Sequence, residues 1–152
     1  FFIGIIAAIA IPGLLRARLA ANEATAIGTL RTLQSGEVVF SQTAGGSYGT
    51  PECLSAPDKC LPNYSGSPFV GEPYSSQFTK SGYRFWFVSV APRATAATGL
   101  VDSFAVYAAP VSLGTGSREF CTDSRGTIVS NRATGLPPPM EPACPAGWSP
   151  IQ

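Results

Sequence analysis

From Phe1 to Leu15 the chain reads FFIGIIAAIAIPGLL, with no charged and no strongly polar side chain. Beyond Leu15 the pattern narrows from apolar all round to apolar on one side. Leu15, Leu19, Ala26, Leu30, Leu33 and Phe40 recur at spacings of three, four or seven, and Ile27 widens the stripe. Arg16, Glu23, Thr29 and Arg31 occupy other positions. This spacing predicts a helix from about Gly13 to about Gln42, closed at Ala44-Gly45-Gly46, where glycine supplies a C-cap. Joined to the apolar run it forms a stalk of about forty residues, against ~11–12 for an ordinary globular helix. Pro12 interrupts the pattern: it removes the bond to the Ala8 carbonyl and clashes with it, at ~3 kcal/mol or more in a continuous helix. Gly4 and Gly13 weaken the same stretch at both ends, so it reads as a kink or as a segment able to unwind and extend.

The polarity changes after the stalk. Residues 45–80 are rich in Ser, Gly, Pro and Thr, which excludes long regular elements. Strand signals follow. Tyr83 to Val90 is aromatic and β-branched, apolar on both faces after Arg84, and stopped by Ala91-Pro92; Phe104 to Ala109 is stopped by Pro110. Arg118 to Thr122 and Thr127 to Ser130 predict a hairpin across Asp123-Ser124-Arg125-Gly126, which has turn chemistry. The tail from Gly135 is too proline-rich for helix or strand. The expected class is α+β: residues 1–43 as the stalk, and residues 44–152 as a head with about four antiparallel strands. Within that head, 44–80 is a loop, 81–130 the sheet and 131–152 a tied C-terminal loop.

Composition then removes whole classes of chemistry. With 152 residues, 12% charged, a formal charge of +1 and no histidine, the electrostatic argument for nucleic acid falls away, and no His-based triad, nucleophile pair or metal site is available. No cofactor is expected. Four cysteines, Cys53, Cys60, Cys121 and Cys144, allow three pairings, and none are spaced as zinc ligands. Disulfides of an exported chain fit best, and proximity suggests Cys53–Cys60 and Cys121–Cys144, stabilising by about 2.5 and 3.5 kcal/mol at most. Gly45 to Gly49 lacks the lysine of a phosphate cradle. Asp102 and Asp123 are too scattered for Ca2+, and Asn63-Tyr64-Ser65 is only a formal glycosylation acceptor. Tyr83, Phe85, Trp86 and Phe87 read as core. Arg16, Arg18, Glu23 and Arg31 read as solvated or intersubunit charges, with Glu23 facing an arginine of a neighbour.

The segment GIIAAIAIP followed by LLRARLAANEATAIGTLRTL, from Gly4 to about Phe40, closely resembles the N-terminal helix of type IV pilins and of the pseudopilins of type II secretion. Order, spacing and the glycine–proline pair all agree. A looser resemblance to pilin-like heads runs from Gly82 to Ser130. In that family a leader is cleaved before a methylated phenylalanine, and a glutamate follows a few residues on. Aligned on Gly4 and Pro12, this chain starts about ten residues later, so neither has a position here and Ile5 is not the glutamate's equivalent; those residues would complete a ~30 Å bilayer span. The resemblance also places a stapled C-terminal loop on the outer surface of a fibre.

What the resemblance implies is assembly rather than catalysis. A bacterial major pilin would be held in the inner membrane, then polymerised by the pilus assembly machinery into a filament of identical subunits on the cell surface, serving adhesion, twitching motility or DNA uptake. Ile3, Ile5, Ile6, Ile9, Ile11, Leu14 and Leu15 would pack the filament core, and the Gly4, Pro12 and Gly13 stretch would melt on assembly. A pseudopilin is the nearest alternative, though no acidic Ca2+ loop of the pseudopilin kind is evident. A membrane-anchored disulfide-rich binding domain or a small secreted enzyme would need no polymer. For the apolar run alone, a signal-peptide core lacks a basic flank, and a buried core helix has little domain to cover it.

Overall fold

The computed structural model describes residues 2–91 and 99–151, so Phe1 and Pro92 lie outside the described residues. The first element, α1 (Phe2–Thr43), is a single helix of 42 residues running without a break through Pro12. At 1.5 Å per residue it is roughly 63 Å long. It ends where the sequence places its cap: Gly45 and Gly46 take φ of 67° and 99°, and the Gly46 amide donates to the Ser41 carbonyl at 2.8 Å. Only residues without a Cβ adopt such angles cheaply, and the bond satisfies a carbonyl otherwise left open at the helix end.

The head then follows as β1 (Tyr48–Gly49), α2 (Pro51–Ser55), a 3-10 turn (Pro57–Lys59), β2 (Gln77–Lys80), β3 (Tyr83–Val90), β4 (Leu100–Val101), β5 (Ser103–Pro110), β6 (Arg118–Asp123), β7 (Ile128–Arg132) and β8 (Ser149–Pro150). The architecture is α+β: a long N-terminal helix packed on an antiparallel sheet. The sheet has six strands, in the order β2-β3-β5-β6-β7-β8, and a two-stranded ribbon pairs β1 with β4. The expectation of about four strands is therefore low. The missed ones are β1, β2, β4 and β8, at two to four residues each too short to show an alternation of their own. The segment expected to be loop, 44–80, also holds α2 and the 3-10 turn.

Two packing layers flank the sheet. On its inner face Tyr83, Phe85, Phe104, Val106, Ala108, Phe120 and Ile128 meet Ala26, Leu30, Leu33 and Phe40 of α1 in one core cluster. Phe78 stacks on Phe85 with centroids 4.6 Å apart, and Phe87 stacks on Phe104 at 5.8 Å. On the outer face Ala105, Tyr107, Cys121 and Cys144 form a second cluster against Trp86, Val88, Val129 and Trp148. Sheet faces covered on both sides explain why β3 reads as apolar without alternation.

Disulfides join Cys53 to Cys60 and Cys121 to Cys144, leaving no free cysteine among the described residues. The first closes α2 onto the 3-10 turn, and Gly99 (φ 94°) passes so close that a Cβ there would overlap both sulfurs. The second ties the C-terminal loop to β6. Asp123 reinforces it: the Cys144 amide donates to Asp123 Oδ2 at 2.8 Å, and the Arg125 guanidinium donates to the same carboxylate. Burial pushes the Asp123 carboxyl up, but these hydrogen bonds outweigh it and hold it below the usual range. Asp123 is thus a buried anchor that joins the turn to the C-terminal loop.

Glu37 is the element of the core that residue pattern does not reveal. It is fully buried on α1; Oε2 accepts the Gly49 amide at 2.9 Å, and Oε1 has no partner among the described residues. Burial raises its pKa to about 8, opposed only by that amide. The carboxyl is therefore neutral at pH 7, joining α1 to β1 as a hydrogen-bonding group rather than as a charge.

Candidate assembly surface

The two halves of α1 differ in what covers them. From Glu23 onward one face of the helix is buried in the head. Over residues 3–15 the helix stands clear of it: Ile3, Ile5, Ile6, Ile9, Ile11, Leu14 and Leu15 are all between 52% and 85% exposed. Leu19 is half-buried and marks the transition. Of the predicted stripe, Ala26, Leu30, Leu33 and Phe40 reach the core, while Leu15 stays in the open. The helix is long and apolar enough to cross a membrane, and none of its most apolar window is covered by the chain itself. An uncovered apolar helix of this length is compatible with membrane anchoring or with a signal sequence.

The Gly4, Pro12 and Gly13 stretch is helical in the single chain. A Cβ added at Gly4 or Gly13 would meet nothing within 4 Å, so neither glycine is required by packing inside this chain. The extension expected of this stretch concerns the assembled state.

A polar clamp fixes the angle at which the stalk leaves the head. Glu23 Oε1 accepts the Ser117 hydroxyl at 2.6 Å, the Ser117 amide at 3.0 Å and the Arg118 amide at 3.2 Å. Its Oε2 takes a forked pair of bonds from Arg118 Nε and Nη2, at 3.0 and 2.9 Å. One residue earlier the Asn22 amide donates to the Thr115 carbonyl at 2.9 Å. Burial works to raise the Glu23 pKa, yet the bonds from Ser117 and Arg118 hold it below the usual carboxylate range. This corrects the expectation of an intersubunit charge: Glu23 is buried and saturated by its own chain, because the β5–β6 loop brings Ser117 and Arg118 against it. Arg16, Arg18 and Arg31 are exposed and form no ion pair among the described residues.

No group of three or more His, Cys, Asp or Glu is placed to hold a metal among the described residues. Comparison with protein-family models, curated proteins and solved structures gives no match to this chain.

Proposed function

We propose that the chain is the structural subunit of a helical filament built on α1, of the type IV pilin kind. The observation that carries this reading is the uncovered apolar run 3–15, continuous with a helix whose other half is bound into the head. Burying seven such side chains, each contributing about 1.5–3 kcal/mol, favours association by on the order of 10 kcal/mol per copy. Before assembly the bilayer covers the same surface; afterwards the stalks of identical copies do. A contact between unlike faces that does not close produces a filament. The heads then form the outer layer, stapled by two disulfides suited to an extracellular setting. In the fibre the Gly4–Pro12 stretch extends, because Pro12 already lacks one helical bond. The pilin-like order of Gly4 to Phe40 supports the narrower reading of a surface pilus serving adhesion, motility or DNA uptake.

The exposed run equally suits an anchored domain that never polymerises, and electron microscopy separates the two. Full-length chain dialysed out of detergent is expected to form long fibres of uniform diameter, with a density break in the helix near Pro12. Dispersed particles, or vesicle-bound monomers after lipid is added, would overturn the filament; an unbroken helix through Pro12 in the fibre would overturn the extension.

A further inference from the structure

The outer face of the sheet is covered over only part of its area. The C-terminal loop lies over Tyr107 and Cys121, where the Tyr107 hydroxyl donates to the Ala143 carbonyl at 2.8 Å. Toward the stalk end of the same face a cavity of about 120 Å3 remains, between Arg84, Trp86, Ala109 and Glu119, with Leu136 and Pro137 as its lip. Strand register explains it. Arg84 pairs with Ala109, the β5–β6 pairing of Ala108 with Phe120 sets Glu119 beside Ala109, and Glu119 pairs with Asn131. A basic and an acidic side chain therefore flank a single methyl group, about 9.5 Å apart at two strand spacings. They form no ion pair with each other.

We propose that this notch binds a small zwitterion, its cationic end against Glu119 and the Trp86 ring and its anionic end on Arg84. Glu119 is only 5% exposed and forms no ion pair among the described residues, while Arg84 is exposed and makes no side-chain hydrogen bond among them. Burial pushes the Glu119 carboxyl up, opposed only by the polar side chain of its cross-strand partner Asn131. A buried carboxylate gains most from a cation that enters with it, and an aromatic face adds to the attraction. A lone anion at Arg84 would face Glu119, and a lone cation at Glu119 would face Arg84; a ligand carrying both charges satisfies both. The cavity equals the volume of about four waters, so the two charges must lie a few bonds apart. Short amino acids carry this chemistry, and so do zwitterionic phospholipid headgroups. The notch lies on the face opposite α1 and needs only a folded head, so it stands or falls independently of filament assembly.

The test is calorimetry on the full chain in a non-ionic detergent, titrated with γ-aminobutyrate and with phosphocholine, using methylammonium and acetate as single-charge controls. Saturable binding of at least one zwitterion is expected, with each control about tenfold weaker or more. Glu119→Gln and Arg84→Ala are each expected to weaken it by about tenfold, the loss of one charged partner, without lowering the unfolding midpoint. Tighter binding of phosphocholine assigns a headgroup as the source, and tighter binding of γ-aminobutyrate a free amino acid. No saturation with either, controls that bind as well, or variants that bind like the parent chain would overturn the proposal.

Discussion

One helix serves two environments. Over residues 23–43, α1 behaves as a core element: Leu30, Leu33 and Phe40 are almost wholly buried, and its two acids are accounted for inside the chain. Over residues 3–15 the same helix has no charge to solvate it and nothing of its own to lie against. Both halves are helical despite Gly4, Pro12 and Gly13 in the first, so conformation does not separate them; partners do. A helix apolar all round belongs among other apolar groups, and one apolar on a single face belongs on a domain. The boundary is the Glu23 clamp, where the last turn before open space is fixed by five hydrogen bonds to Ser117 and Arg118.

That contrast can be broken from either side. The largest effect is expected in the uncovered half. Ile6→Asp with Ile9→Asp places two charges where neighbours or lipid should lie, and association without detergent should be abolished, as read by sedimentation. Thermal unfolding of the head and both disulfides should be unchanged, because neither residue touches it.

In the covered half, Glu37 should dominate pH dependence. Its folded pKa of about 8 lies above the reference value of 4.5, so the folded state keeps a proton that the unfolded state releases. The stabilisation is complete below pH 4.5, declines as pH rises and is exhausted above about 8. This amounts to roughly 5 kcal/mol. Glu37→Gln should flatten that decline in denaturant-unfolding curves and be the more stable protein at pH 8. A parent chain whose stability stays level over this window would show that Glu37 is not held neutral.

A smaller effect is expected at the boundary. Glu23→Gln removes the charge from the forked Arg118 contact and should cost roughly 2 kcal/mol of head stability. It should leave association intact, since the residue faces its own chain. Lost association with unchanged unfolding would return Glu23 to an intersubunit role.

The course of α1 was legible from residue pattern down to its glycine cap, because both the 3.6-residue period and the cap are local signals. The strands β3, β5, β6 and β7 were legible for the same reason: each is at least five residues long and bounded by proline, glycine or turn residues. The short edge elements β2 and β8 and the β1–β4 ribbon were not, since two to four residues owe their pairing to neighbours rather than to their own alternation. The roles of Glu23 and Glu37 were hidden more deeply. A charged residue on a helix reads as solvated unless its partner is known, and Ser117 lies 94 residues from Glu23. Arg84, Ala109 and Glu119 meet only through strand register, which one sequence does not display.

The claim that the uncovered apolar run is shared among copies is tested most directly by a nitroxide at Ile9→Cys, measured as detergent is withdrawn. Dipolar broadening that grows with assembly, and sharpens again when unlabelled chain is mixed in, is the predicted result. A narrow spectrum from a label surrounded by water, on a chain that sediments as a monomer, would contradict it.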